Sequence, residues 1–132
     1  MIRLPSLKKE GERRNDMLTV EMLAKELDLN IMELPDGGRE IEGGYAGDLL
    51  SWVMGRAQPG DAWVTIMSNM NVSAVAQLTD VACVIFAEGV VPDREAVNKA
   101  ELHGINLLGS DLGVFELCHK ISSMLEEYRD EN

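Results

Sequence analysis

The sequence predicts an α/β fold: a single domain with a mainly parallel sheet of about five strands flanked by helices. Three observations lead there. Residues 62–67, 81–87 and 105–108 are apolar, β-branched-rich runs of strand length, the pattern of strands buried on both faces. Helical patterns separate these runs, and strand–helix alternation means a parallel core with right-handed crossovers. Finally, 132 residues with 45% apolar content fit one domain with its own core.

The elements follow in order. Residues 1–16 lack helical periodicity, contain Pro5 and Gly11, and are expected to form a flexible arm outside the fold. Residues 17–128 form the domain and 129–132 an acidic tail, with fraying expected from Glu126 onward. Thr19 is a candidate N-cap, and Val20, Leu23, Ala24 and Leu27 follow on one helical face. Residues 31–34 read as a short strand, Asp36-Gly37-Gly38 as a turn, and residues 39–43 as an alternating edge strand. Residues 44–48 read as a loop, with Asp48 capping a short helix through Leu49, Leu50 and Val53 that Gly55 ends. Asn71 is placed as the cap of the helix carrying Val72, Val75, Ala76 and Leu78. Pro92-Asp93 precedes the next helix, which Gly104 ends, and Ser110-Asp111 precedes the last.

Charge and composition exclude several functions. The net charge is −11. Residues 1–16 carry +2 (Arg3, Lys8, Lys9, Arg13 and Arg14 against Glu10, Glu12 and Asp16), which leaves −13 on the rest. Nucleic-acid binding needs a basic surface, and an anionic membrane would repel this one. A helix-turn-helix reading of residues 19–34 fails because Pro35 and Gly37-Gly38 interrupt the second helix. No basic opening leads into an apolar signal core, and no run approaches the ~18 apolar residues of a membrane span. Cys83 and Cys118 lie in apolar segments without metal or redox spacing, so reduced thiols in a cytoplasmic protein are expected.

Candidate chemistry gathers at one end. Ligands of open parallel sheets bind at the carboxyl ends of the strands, where residues 44–48, 68–71, 88–93 and 109–111 would lie. These loops offer Asp48, Ser68, Asn69, Asn71, Ser110 and Asp111 as ligand-binding candidates. The 68–71 loop has no carboxylate, which makes it the best receiver of an anion at a helix N-terminus. The same residue types are also the preferred helix caps. Catalytic signatures are missing: the sequence has no Gly-Lys dipeptide, no Gly-x-Gly-x-x-Gly and no Gly-x-Ser-x-Gly. His119 follows Cys118 on one helix, so their side chains point about 100° apart and form no catalytic pair. His103 reads as a favourable charge at a helix end. The scattered methionines read as core gap-fillers, and Trp52 and Trp63 as core or interface anchors.

The loops also carry a family likeness. Ile41-Glu42-Gly43-Gly44-Tyr45-Ala46-Gly47-Asp48-Leu49-Leu50-Ser51 resembles the opening of the DRTGG domain. Gly60-Asp61-Ala62-Trp63-Val64-Thr65-Ile66 and Asn71-Val72-Ser73-Ala74-Val75-Ala76 continue it, as do Pro92, Ala100, Gly104-Ile105 and Ser110-Asp111 with Phe115. The likeness spans about residues 17–127, and the Asp-Arg-Thr-Gly-Gly string itself is absent. DRTGG domains resemble the non-catalytic N-terminal domain of HPr kinase/phosphorylase and also occur between CBS domains of some pyrophosphatases. The resemblance implies a regulatory, dimerising module without chemistry of its own. The expected function is therefore a non-catalytic regulatory module, not an enzyme. It would form a homodimer, with Tyr45, Trp52 and the arm as candidate contacts, and take a small anionic metabolite or nucleotide as ligand. No cofactor is specified. The alternative is a ligand-free accessory protein of a redox, hydrogenase-type complex, in which a protein partner replaces the small ligand.

Overall fold

The computed structural model describes residues 17–130; residues 1–16 and 131–132, and with them the expected arm, lie outside the described residues. The elements are α1 (Val20–Glu26), β1 (Asn30–Glu33), β2 (Gly43–Ala46), α2 (Leu50–Arg56) and β3 (Asp61–Thr65). They continue with α3 (Asn71–Thr79), β4 (Cys83–Phe86), α4 (Arg94–His103), β5 (Leu107–Gly109) and α5 (Val114–Asp130). One five-stranded sheet has the order β1-β5-β4-β3-β2. Strands β2 to β5 run parallel, and β1 lies antiparallel on β5. The three apolar runs thus form the adjacent, parallel inner strands that their composition predicts.

Strand alternation divides the core. Ala62, Val64, Cys83, Ile85 and Leu108 face one layer with Leu23 and Ala24 of α1 and Leu117 and Ile121 of α5. Trp63, Val84, Phe86 and Leu107 face the other, with Val53 of α2, Val72, Val75 and Ala76 of α3, and Ala100 of α4. Helices on both sides explain why every residue of β3 and β4 is buried. Burying an aliphatic or aromatic side chain this fully contributes about 1.5–3 kcal/mol each.

Several local expectations shift. Residues 39–43 do not form the edge strand. Leu18 and Val20 hold this stretch by accepting from Ile41 N at 2.8 Å and donating to Arg39 O at 3.0 Å, and Glu40 makes only an isolated bridge to Thr19. The strand falls instead on Gly43–Ala46, inside the expected loop, because pairing with β3 begins at Gly43 opposite Asp61. α2 runs past Gly55 to Arg56 and ends at Ala57. α5 continues to Asp130, so Glu126 to Asp130 of the expected frayed tail are helical. Met17, Met54 and Met70 are exposed instead of filling the core. Trp63 is fully buried and Trp52 is exposed under the Arg56 guanidinium, 3.8 Å from the ring centre.

Other expectations hold. Thr19 caps α1 by accepting from Met22 N at 3.3 Å. Gly104 ends α4 at φ 72°, left-handed backbone that glycine adopts without a Cβ penalty. Cys83 and Cys118 are unpaired, the first fully buried.

Candidate functional site

The loops after the parallel strands β2, β3, β4 and β5 meet at the carboxyl edge, in the order set by the sheet. All six sequence candidates lie on this edge, but half of them are engaged in holding the loops. Asp48 is not a cap: the cap position of α2 is Leu49, with no side-chain bond. Asp48 Oδ1 instead accepts from Thr65 Oγ1 at 3.0 Å and Ile66 N at 3.1 Å, while Thr65 Oγ1 accepts from Met67 N at 3.1 Å. This ties the loop after β2 to the end of β3.

In the next loop Asn69, not Asn71, serves the helix start. Asn69 Oδ1 accepts from Asn71 N at 2.9 Å, Met70 occupies the cap position, and Asn71 is already helical. Asn69 is thus bound in the role of a local side-chain cap. Ser110 Oγ accepts from Leu112 N at 3.0 Å. The start of α5 falls later than Ser110-Asp111, at Val114, whose N–H donates to Glu88 Oε2 at 3.4 Å. A carboxylate of the protein therefore occupies the partly positive end of α5.

Three candidate side chains have no hydrogen-bond partner among the described residues: Ser68, Asn71 and Asp111. The Ser68 carbonyl accepts from Asp93 N at 2.8 Å, which pins its loop to the start of α4. Asp111 stands over Gly89, its Oδ1 3.2 Å from where a Cβ would lie. The edge also exposes one or more large apolar side chains per loop: Leu49, Ile66, Met70, Val91 and Phe115, the last 88% exposed. Sequence reasoning missed Thr65 and Glu88. Thr65 interrupts an apolar run, a signal in itself, whereas nothing local in the sequence links Glu88 to Val114.

Elsewhere, a cleft of about 330 Å³ lies between β2 and α5, with Gly44, Ala46, Ala62 and Val64 as floor and Cys118, Ile121, Ser122, Leu125 and Arg129 on the helix side. Small residues on the strands leave this room. A smaller one of about 130 Å³ at the opposite edge holds Asp36, Arg39, Asp80, His103 and Asn106. There Arg39 Nη1 meets Asp80 Oδ1 at 3.1 Å and Asn106 is fully bonded.

Three groups are perturbed. Burial pushes the Cys83 thiol up to about 12 and the Cys118 thiol upward. Burial also raises the Asp61 carboxyl; the Gln58 N–H donating to it at 2.8 Å works against that rise, and the neighbouring Glu42 charge adds to it. None of the three lies on the carboxyl edge. Among the described residues no group of three or more His, Cys, Asp or Glu is placed to hold a metal ion, and no helix is long and apolar enough to cross a membrane.

No protein-family model and no curated protein matches the chain. A solved structure does: the CBS and DRTGG domains of the regulatory region of Clostridium perfringens pyrophosphatase, complexed with its activator diadenosine tetraphosphate. The TM-score is 0.62 at 12% identity, over 87% of this chain and 48% of that one, so the chain spans about half the length of its match. At that identity the likeness is one of fold, and it is the fold that the sequence resemblance to DRTGG domains leads one to expect.

Proposed function

We propose that this chain is a non-catalytic regulatory module of the cytoplasm that forms a homodimer and responds to a small anionic metabolite, a nucleotide first among them. One observation carries the ligand reading. The loop of Ser68 and Asn69 opens α3 without a carboxylate, and the Ser68 hydroxyl and Asn71 amide beside it are unengaged among the described residues. The other loops present Asp48, Glu88, Asp93 and Asp111, which oppose a phosphate unless a cation such as magnesium bridges it. The two unpaired thiols support a reducing compartment. The solved region with the same fold carries a nucleotide activator, which makes nucleotides the first ligands to try.

The test is a thermal-shift screen of nucleotides and phosphorylated metabolites, with and without magnesium. A hit that Ser68→Ala or Asn71→Ala weakens, without lowering the melting temperature of the free protein, supports the reading. A hit indifferent to both substitutions refutes the site.

A second reading has its own observation. The exposed Leu49, Ile66, Met70, Val91 and Phe115 on the same edge are what a protein partner covers. A screen without hits, together with loss of a partner on Phe115→Ser, would favour that ligand-free interaction module.

A further inference from the structure

We infer that two copies of this chain join through the outer edge of β2, continuing the five-stranded sheet across a two-fold axis at Gly44. The inference rests on the homodimer in the reading above and names its surface.

The sheet has two edges, and they differ. β1 breaks register between Ile31 and Glu33 and carries a carboxylate, both devices that discourage pairing with another strand. β2 reads Gly43-Gly44-Tyr45-Ala46, with no charge, no proline and regular register. It pairs with β3 on one side, and on the other it has no partner among the described residues. The chain's own Leu18 and Thr19 lie against Ile41 and Glu40, so the lane beside β2 is taken just before the strand begins.

The strand is complementary to itself. Residues directly opposite in an antiparallel pair point to the same face. Gly44 and Ala46 face α5, and Tyr45 faces the Trp63 side. Axes at either of its two inner residues respect this. An axis at Tyr45 sets Glu42 of one copy against Asp48 of the other, carboxylate to carboxylate. An axis at Gly44 sets Tyr45 across from Gly43, where no side chain opposes the ring, and Glu42 across from Ala46; the pairing ends there, because Leu18 and Thr19 of the same chain already lie beside Ile41 and Glu40 and keep Glu40 from meeting Asp48. Like charges directly opposite destabilise a pair, so the chain selects the second register.

The flanks agree. On the Trp63 side α2 packs on α3, and α3 on α4, while α4 meets β1. α2 is therefore the helix on the β2 side, and there Leu49, Trp52 and Met54 are exposed. On the other side the cleft between β2 and α5 opens at the same edge.

The test is cysteine cross-linking of the full chain, with light scattering. Gly44→Cys, in a Cys118→Ser background, places a thiol on the axis; a Cβ at Gly44 meets only Ala62 O at 3.5 Å, ordinary contact. Ile31→Cys on the exposed opposite edge is the control. The expected result is a wild-type dimer whose position-44 thiols cross-link more than about tenfold faster than those at 31, because pairing raises their effective concentration. Gly44→Lys, folded by circular dichroism, should have monomer mass. A wild-type dimer that cross-links no faster at 44, or that stays dimeric with Gly44→Lys, overturns this seam and leaves the homodimer standing. A wild-type monomer at tens of micromolar overturns both.

Discussion

The Asn106 side chain holds both backbone groups of Asp36 across 70 positions: Asn106 Oδ1 accepts from Asp36 N at 2.9 Å, and Asn106 Nδ2 donates to Asp36 O at 2.8 Å. The same Nδ2 donates to Ala82 O at 3.0 Å. One buried amide thereby joins the turn after β1 to the entries of β4 and β5. Asn106→Ala leaves three backbone groups without this partner and is expected to lower stability by about 2–4 kcal/mol. Urea denaturation measures it; a loss below half a kilocalorie would mean that water replaces the amide.

The start of α3 separates two neighbouring asparagines. Asn69→Ala removes the acceptor of Asn71 N and is expected to cost about 0.5–2 kcal/mol, the range of a lost cap. Asn71→Ala removes an unengaged side chain and should leave the free protein's melting temperature unchanged. Equal effects on thermal melting would contradict the assigned roles.

Asp61 sets a pH dependence with a definite sign. Its carboxyl is raised above 3.8 in the folded state, so the folded chain binds its proton more tightly than the unfolded chain. The stability this contributes is present below 3.8 and is lost as pH rises through the raised folded value. Asp61→Asn keeps an acceptor for Gln58 N and removes the buried charge beside Glu42. The variant is expected to melt at or above the wild type at pH 7, with its advantage shrinking toward pH 4. Melting curves at the two pH values decide; an advantage that grows on acidification would be the wrong sign.

The two thiols should react at different rates. Cys83 is fully buried, with its thiol pushed up to about 12, and a thiol that stays protonated and covered is inert. Cys118 is half-buried on the wall of the β2–α5 cleft. At pH 8 a thiol reagent is expected to label Cys118 slowly and Cys83 only on unfolding, as mass spectrometry of the labelled peptides would show. Labelling of Cys83 in the folded protein at the rate of Cys118 would point to an opening of the sheet.

The candidate edge was legible because caps and strand ends obey local rules: apolar runs end where small polar residues begin. Which polar residue does what was not. Asp48 looks like a cap in sequence because it precedes Leu49 and Leu50, yet in the fold its carboxylate accepts from Thr65 Oγ1 and Ile66 N across the sheet. Glu88 and Val114 are 26 positions apart, beyond any local pattern.

By itself the sequence determined the layer architecture. Apolar runs with no polar side must be covered on both faces, and the helical patterns between them supply the cover. It also determined the helix ends at Thr19 and Gly104, where one residue's own chemistry suffices. Tertiary structure alone decided the start of β2, because Gly43-Gly44 carries no side-chain signal and becomes strand only by pairing with Asp61 and Ala62. It likewise decided which strand ends the sheet among the described residues: strand order is a property of the assembled sheet, and a four-residue strand reads the same whether it lies inside or at the edge.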